Sequence, residues 1–457
     1  MPELIIVAAY LVATLIIGII SFKRTNRADD FFVAGRKGRT WVITGSLLAT
    51  IVGSSATLGM AGLGYSRGLT GAWWLLVGTV GLIFLGLFFA KKVREFGLYT
   101  LPELIEKQYD RRVAMVASVL IVIAWIALIA AQINATGTIM GILGIGDATL
   151  WKIVFTAIFI SYTIIGGQYA IIRTDTLQSI IILGGIFAGL AILLAHIGGL
   201  ESLQNSLSQD MFCFPVSSQF SGADLTSLLL VVGLTYVVGP DMYSRLFCAN
   251  NDKTARTAVF STATLLIPVA LAVTTIGMGA AALFPQIAPE EALPIVIKEL
   301  FSPLASGIVL AALLCAVMSS ADTTLLSAGT ILTIDIIGRF RPATEQSNIL
   351  PRSRLTIVAL GICALVVALA LKGIIASMLF AYTLYTAGVI VPVIAGFFRK
   401  RLHVTTPGAI AAMVGGGAAG IASKLLDVEY LDLWAIVISI VILFTISYVD
   451  NHMRYRK

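Results

Sequence analysis

The sequence predicts an all-α integral membrane protein, and three observations carry that prediction. Of the 457 residues, 58% are hydrophobic and only 12% are charged, with a mean hydropathy of +0.96; an ordinary soluble domain is about 25% charged. Apolar runs of about 20 residues, enough to cross roughly 30 Å of hydrocarbon at 1.5 Å per residue, recur from one end of the chain to the other. The basic residues between these runs fall on alternate sides of the membrane.

Thirteen transmembrane helices follow, at about 4–22, 40–64, 69–93, 113–143, 150–167, 172–198, 223–245, 254–284, 302–336, 354–372, 373–398, 405–425 and 432–450. The first has no basic residue before its apolar run and no small-residue cleavage site after it, so it reads as a helix that is kept rather than a leader that is removed. The second contains SLLATIVGSSATLGMAGLG, where Gly53, Gly59, Gly62 and Gly64 stand among serines and threonines. Each glycine costs about 1 kcal/mol in a helix relative to alanine, so an interrupted helix is expected. The sixth opens on RTDTLQS, with Asp175 beside Arg173 and Gln178 at its cytoplasmic start. The seventh ends in VVGLTYVVGPDMYSR, and Pro240 removes one ladder hydrogen bond there. The ninth carries CAVMSSADTTLLS in an otherwise oily setting. The remaining spans rest on apolar length alone.

The two interrupted helices lie five helices apart. Because five is odd, two blocks of five, 40–198 and 223–398, would sit in opposite orientations as an inverted repeat. Segments 1–39 and 399–457 are then peripheral helices and connectors of a single transmembrane domain spanning 1–457. Two loops have readable structure. TLPELIEK has Thr100, Pro102 and Glu103 spaced as a capping-box start to a short helix. APEEALPIVIKELF (288–301) suits a helix lying on the outer surface.

The net charge of +7 is a matter of topology. Sorting the 31 basic residues by loop assigns 26 to one side and five (Arg67, Lys152, Lys298, Lys372 and Lys424) to the other. By the positive-inside rule the amino terminus is outside and the carboxyl terminus cytoplasmic, in a multi-pass protein of the cell (inner) membrane. Nucleic acid is therefore not an expected partner; the lipid bilayer is, and no obligate protein partner is evident. Cys213, Cys248, Cys315 and Cys363 are scattered, and His196, His403 and His452 stand alone. No zinc, phosphate-loop or nucleophile pattern is present, which argues against an enzyme.

The polar stripe of the ninth span is the main chemical signal. Ala316, Ser319, Ser320, Thr323 and Ser327 share one helical face, bordered by Asp322. An aspartate at the centre of a membrane helix costs about 2.5–3.5 kcal/mol even on the gentlest scale, so it faces a cavity or a partner. Hydroxyls and freed backbone carbonyls are hard, weakly charged ligands. They suit a desolvated monovalent cation better than calcium, magnesium or a transition metal. The glycine-rich second span supplies such carbonyls near Ala49 and Val52. Asp175 has two readings, either an interfacial partner of Arg173 or a member of a second cation site or inner gate with Ser319, Asp322 and Thr323.

LATIVGSSATLGMAGLGYSRG (48–68), TLPELIEKQYDRR (100–112), GGQYAIIRTDTLQ (166–178), GPDMYSRLFCANNDKTAR (239–256) and AVMSSADTTLLSAGTILTIDI (316–336) together resemble the sodium/solute symporter family. Its members transport proline, sugars, sialic acid, pantothenate and monocarboxylates. The resemblance implies a leucine-transporter-type 5+5 inverted repeat with one extra helix before it and two after. It also implies one Na+ held by the backbone oxygens of Ala49, Val52 and Ala316 and the hydroxyls of Ser319 and Ser320. A second Na+ is possible at Asp175, Ser319, Asp322 and Thr323, although Asp322 stands where some members have a serine. The small-molecule solute would meet Ser54, Ser55, Gln132, Tyr236 and Trp74. Proline-transporting members are more aromatic where this chain has Ser55, Ile129 and Val232. Sialic-acid members carry an arginine on helix four, which AAQINATG lacks. The expectation is thus sodium-coupled symport of a small neutral, zwitterionic or carboxylate solute by alternating access. Proton coupling on the same fold is the nearer alternative, a passive channel or uniporter the more distant one.

Overall fold

The computed structural model describes residues 2–22, 27–142, 144, 146–340, 349–370, 373–426 and 430–455. Lys23, Arg24, Arg341, Lys372, Arg456 and Lys457, which enter the charge count, lie outside the described residues. The described chain is almost entirely helical, with isolated β-bridges as the only strand-like pairing among those residues. The helices that position the site are α1 (Pro2–Phe22), α2 (Thr40–Ile51), α3 (Met60–Arg67), α4 (Trp73–Phe84), α5 (Leu101–Gln108), α6 (Arg111–Ile142), α7 (Ala148–Ile197), α8 (Pro240–Cys248), α9 (Asp252–Leu283), α10 (Ala292–Leu300), α11 (Pro303–Ile331), α12 (Ile349–Ala370), α13 (Ile374–Tyr385), α14 (Thr406–Leu426) and α15 (Leu431–Tyr455).

Among the described residues, nine helical segments are long and apolar enough to cross a membrane. Of the four expected spans not counted, two are lost where neighbouring spans run into one another, and the other two, at 4–22 and 405–425, form the helices Pro2–Phe22 and Thr406–Leu426 without entering those nine. The expected spans 150–167 and 172–198 are continuous in α7, whose 50 residues would extend about 75 Å if straight, more than twice the hydrocarbon thickness. Gly167 interrupts it with φ 53° and ψ −155°, in the left-handed region that side chains with a Cβ disfavour. A Cβ there would also lie 2.6 Å from the Phe31 ring. The segment 40–64 divides instead: its first part, α2, is only 12 residues long, and its second part joins the following span in the helical run Ser55–Glu95.

Helix α11 is the axis of the structure. Ser302 caps it, Pro303 occupies its first turn, and every residue from Val309 to Ile331 is buried. It packs against α1, α2, α6, α7, α8 and α12. A membrane helix with no lipid-facing side can carry polar groups on any face, provided each finds a partner. The hydroxyl run of the ninth span is thus accommodated inside protein.

The two loop expectations fare differently. At α5, Thr100 Oγ1 accepts from the Glu103 amide at 3.2 Å, and Glu103 Oε2 accepts from the Thr100 amide at 3.3 Å, the expected capping box. Helix α10 forms within 288–301, but Leu293, Val296 and Ile297 are buried against protein, including α3, α7 and α9. Its apolar face is part of the core rather than a surface laid on lipid.

Candidate functional site

Both expected interruptions are present, and both expose backbone groups toward the centre. Helix α2 ends at Ile51; Val52 adopts φ −83° and ψ 65°, and the chain resumes as a π-helical turn at Ser55–Gly59 before α3. In the second, Leu234–Val237 stops at Val238, with φ −133° and ψ 72°, and Gly239 precedes α8, which begins with Pro240. Neighbouring side chains meet the freed groups, as buried backbone requires. Ser319 Oγ donates to the Ala49 carbonyl at 2.8 Å and to the Ala316 carbonyl at 3.1 Å. Ser320 Oγ donates to the Thr50 carbonyl at 2.7 Å. The Ser54 amide donates to Gln132 Oε1 at 3.0 Å, and the Tyr385 hydroxyl donates to the Val238 carbonyl. Gly53 permits this close approach, because a Cβ there would lie 2.2 Å from Ser320 Oγ.

Four of the five residues expected around the first cation therefore meet: Ala49, Ala316, Ser319 and Ser320. Val52 is buried at the break, its amide bonded to the Leu48 carbonyl. The Thr50 carbonyl, absent from the expected set, is the acceptor for Ser320. All the converging atoms are neutral oxygens, the donor type that suits a weakly hydrated monovalent cation. Divalent calcium and magnesium sites usually recruit carboxylates. A cation seated here would replace the two short hydroxyl-to-carbonyl hydrogen bonds with oxygen contacts to itself.

The second expected cluster contains Arg245, the last residue of the expected seventh span, which the charge count assigns to the cytoplasmic side. Arg245 is fully buried, and its guanidinium donates from Nη2 to Asp175 Oδ2 at 3.0 Å, from Nε to Ser46 Oγ at 3.1 Å and from Nη1 to Ser244 Oγ at 3.0 Å. Nη2 also donates to Thr323 Oγ1. Ser46 Oγ in turn donates to Asp175 Oδ2 at 2.5 Å. The pairing of Asp175 with Arg173 is thus corrected. Arg173 lies 4.2 Å from the centre of the Tyr169 ring, stacked over its face, while Asp175, 0% exposed, faces inward to Arg245. Position 245 also leaves the count of loop cations. Asp175 and Thr323 are brought together as expected, with a tethered guanidinium between them. Asp322 is also 0% exposed; its Oδ1 accepts from Thr323 Oγ1 at 3.4 Å and its Oδ2 has no partner.

A cavity of about 60 Å³ adjoins the α2 break, with Thr50, Gly53 and Ser320 in its lining. Ser55, Gln132 and Tyr236, three of the residues expected to meet the solute, also line it. Ser54 sits behind the lining with its hydroxyl buried and unpartnered. Trp74 stands one ring further out, its centroid 6.5 Å from that of Tyr382, which does line the cavity. The sequence reading missed Trp125, Asp241, Thr324 and Tyr382. For Asp241 the signal was available: it is an intramembrane acid directly after the Gly239-Pro240 break. Trp125 and Tyr382 look like any other aromatic residue in an apolar helix.

The osmoregulated proline transporter of Bacillus subtilis is 25% identical over 426 residues, covering 90% of this chain and 86% of that protein. Sodium/glucose cotransporter 4 of Danio rerio is 26% identical, covering 94% of this chain and 72% of that protein. Among solved structures, a Na+-coupled sialic acid symporter in a substrate-bound outward-open state superimposes with a TM-score of 0.84 at 18% identity, covering 98% of both chains. A nucleobase-cation-symport-1 family transporter in a closed conformation gives a TM-score of 0.65 at 14% identity, covering 94% and 95%. These two likenesses show a shared fold. The family model described as the sodium:solute symporter family matches residues 31–416, and the chain, a multi-pass membrane transport protein, belongs to that family.

Proposed function

We propose that this chain is a sodium-coupled secondary active symporter that imports a small organic solute by alternating access. The observation that carries the reading is the pair of hydroxyls on α11, Ser319 and Ser320, donating to the Ala49 and Thr50 carbonyls freed by the α2 break. Sodium held by Ala49, Ala316, Ser319 and Ser320, with Thr50 and Val52 at the same break, would tie α2 to α11 and favour the arrangement that admits solute. Separation of the two helices toward the cytoplasm would undo that set of oxygens and release the ion, and then the solute. The architecture proposed with it is thirteen crossings, inverted repeats at 40–198 and 223–398, an outside amino terminus and a cytoplasmic carboxyl terminus. Solute contacts are assigned to Ser55, Gln132 and Tyr236 directly, with Ser54 and Trp74 behind them.

The driving force suffices. One charge moving through about 100 mV contributes roughly 2.3 kcal/mol, and a tenfold sodium gradient contributes about 1.4 more. One sodium per cycle then sustains several-hundred-fold accumulation. The chain's likeness to sodium/glucose cotransporter 4 supports sodium as the coupling ion.

Proton coupling is kept as a second reading, because Asp322 Oδ2 has no hydrogen-bond partner in a fully buried setting. A protonated carboxyl would remove the charge that is costly there. Thermal unfolding of the purified protein in sodium, lithium and potassium chloride tests the main reading. Stabilisation specific to sodium, lost in the Ser319→Ala/Ser320→Ala double variant, is the expected outcome. Equal stability in all three salts would refute it.

A further inference from the structure

Asp241 is the second residue of α8, just beyond the break, and is only 9% exposed. It lines the central cavity together with Trp125, Gln132, Tyr236, Thr324 and Tyr382. Trp125 Nε1 donates to its Oδ1 at 2.9 Å, which fixes the carboxylate at the cavity wall. No lysine, arginine or histidine is among the lining residues. The nearest cation along the chain is Arg245, one turn further on α8, and its guanidinium is taken up by Asp175, Ser46, Ser244 and Thr323. No ion pair of Asp241 occurs among the described residues.

A desolvated carboxylate that keeps its charge needs a cationic or strongly donating partner. Here the wall around it is aromatic and hydroxylic, and aromatic faces attract cations. We propose that Asp241 receives a protonated amine of the solute, so that the transported class is an amine-bearing small molecule, zwitterionic or cationic. A carboxylate without an amine would meet like charge at Asp241, while the Arg245 guanidinium one turn away, which Asp241 feels electrostatically, is already paired with Asp175. Of the neutral, zwitterionic or carboxylate range expected from sequence this keeps only the zwitterion and adds cationic amines, and it rests on the sodium-symport reading of the same cavity.

The test is ligand-dependent thermal stabilisation of the purified full-length protein, in sodium chloride and in potassium chloride. The probes are L-proline and L-alanine as zwitterions, ethanolamine as a cation, propionate and L-lactate as anions, and glycerol as a neutral solute. Sodium-dependent stabilisation by at least one amine-bearing probe, with none from propionate or lactate, is expected. A zwitterion response supports an amino-acid-like solute; an ethanolamine response supports a simple amine. Asp241→Asn should raise the half-saturating concentration of the responding amine at least tenfold, whereas Asp241→Glu should retain a weaker response. Stabilisation by propionate, lactate or glycerol in place of the amines overturns the assignment. So does an amine response that Asp241→Asn leaves unchanged, or the absence of any amine response. Should a variant fail to fold, the wild-type probe series still decides. Sodium alone, without probe, reports the underlying reading separately: loss of that shift counts against the coupling ion, whatever the probes do.

Discussion

Removing the Arg245 guanidinium should leave a deficit that a mobile cation partly repairs. In Arg245→Met, Asp175 loses its 3.0 Å ion pair and keeps only the Ser46 hydroxyl on Oδ2, while its Oδ1 has no partner to begin with. Both members are 0% exposed, so water cannot compensate, and removal of one partner from such a pair costs about 3–5 kcal/mol. Asp175→Asn in the same background removes the stranded charge. The double variant should therefore lie closer to wild type than the sum of the single effects, with a coupling of about 1–3 kcal/mol. The assay is the unfolding midpoint of the four proteins of this cycle in detergent, each with and without sodium. Because Asp175 and Asp322 would then have no fixed cation, sodium should stabilise Arg245→Met more than wild type. A ligand at 100 times its dissociation constant contributes about 2.7 kcal/mol. Additive losses in the cycle would show that the pair acts through packing alone. A sodium response no larger in Arg245→Met than in wild type would show that the guanidinium does not stand in for an ion.

Other substitutions probe the neighbouring oxygens. Ser319→Ala and Ser320→Ala each remove a hydroxyl from the α2–α11 contact. Each should raise the half-saturating sodium concentration about 10- to 100-fold, on the scale of 1.5–3 kcal/mol for a hydrogen bond to a charged group; unchanged sodium dependence would remove them from the site. Asp322→Asn keeps shape and removes the titratable group. If that carboxyl carries a coupling proton, solute uptake in wild type should rise as external pH falls and lose that slope in the variant, and an identical slope in both would exclude the role. Gly53→Ala should push α2 away from α11, since the added carbon would lie 2.2 Å from Ser320 Oγ and 2.8 Å from its Cβ. A cost of about 1–3 kcal/mol is expected, together with weaker sodium stabilisation; wild-type unfolding in sodium would contradict the close approach.

Much of this protein is legible in one dimension because the bilayer imposes one-dimensional rules. Helix length, apolar composition and the placement of loop cations all depend on residues near one another in sequence. The two helix breaks were visible for the same reason: glycine clusters and Gly239-Pro240 weaken a helix wherever it lies. So was the hydroxyl run of α11, whose spacing puts Ala316, Ser319, Ser320 and Thr323 on one face.

What the sequence by itself determined, then, is a membrane-embedded helical transporter with broken helices and a run of hydroxyls on one helix face. Only the tertiary structure decided which charges meet. Asp175 sits two residues from Arg173 yet pairs with Arg245, 70 positions away, because α7 turns the aspartate into the core and the nearer arginine onto Tyr169. Only there does Asp241 become part of a cavity wall with Trp125 and Tyr382, residues far from it along the chain. Partnerships of this kind depend on helix rotation and packing, and in a low-dielectric interior a few ångströms separate a compensated charge from a costly one.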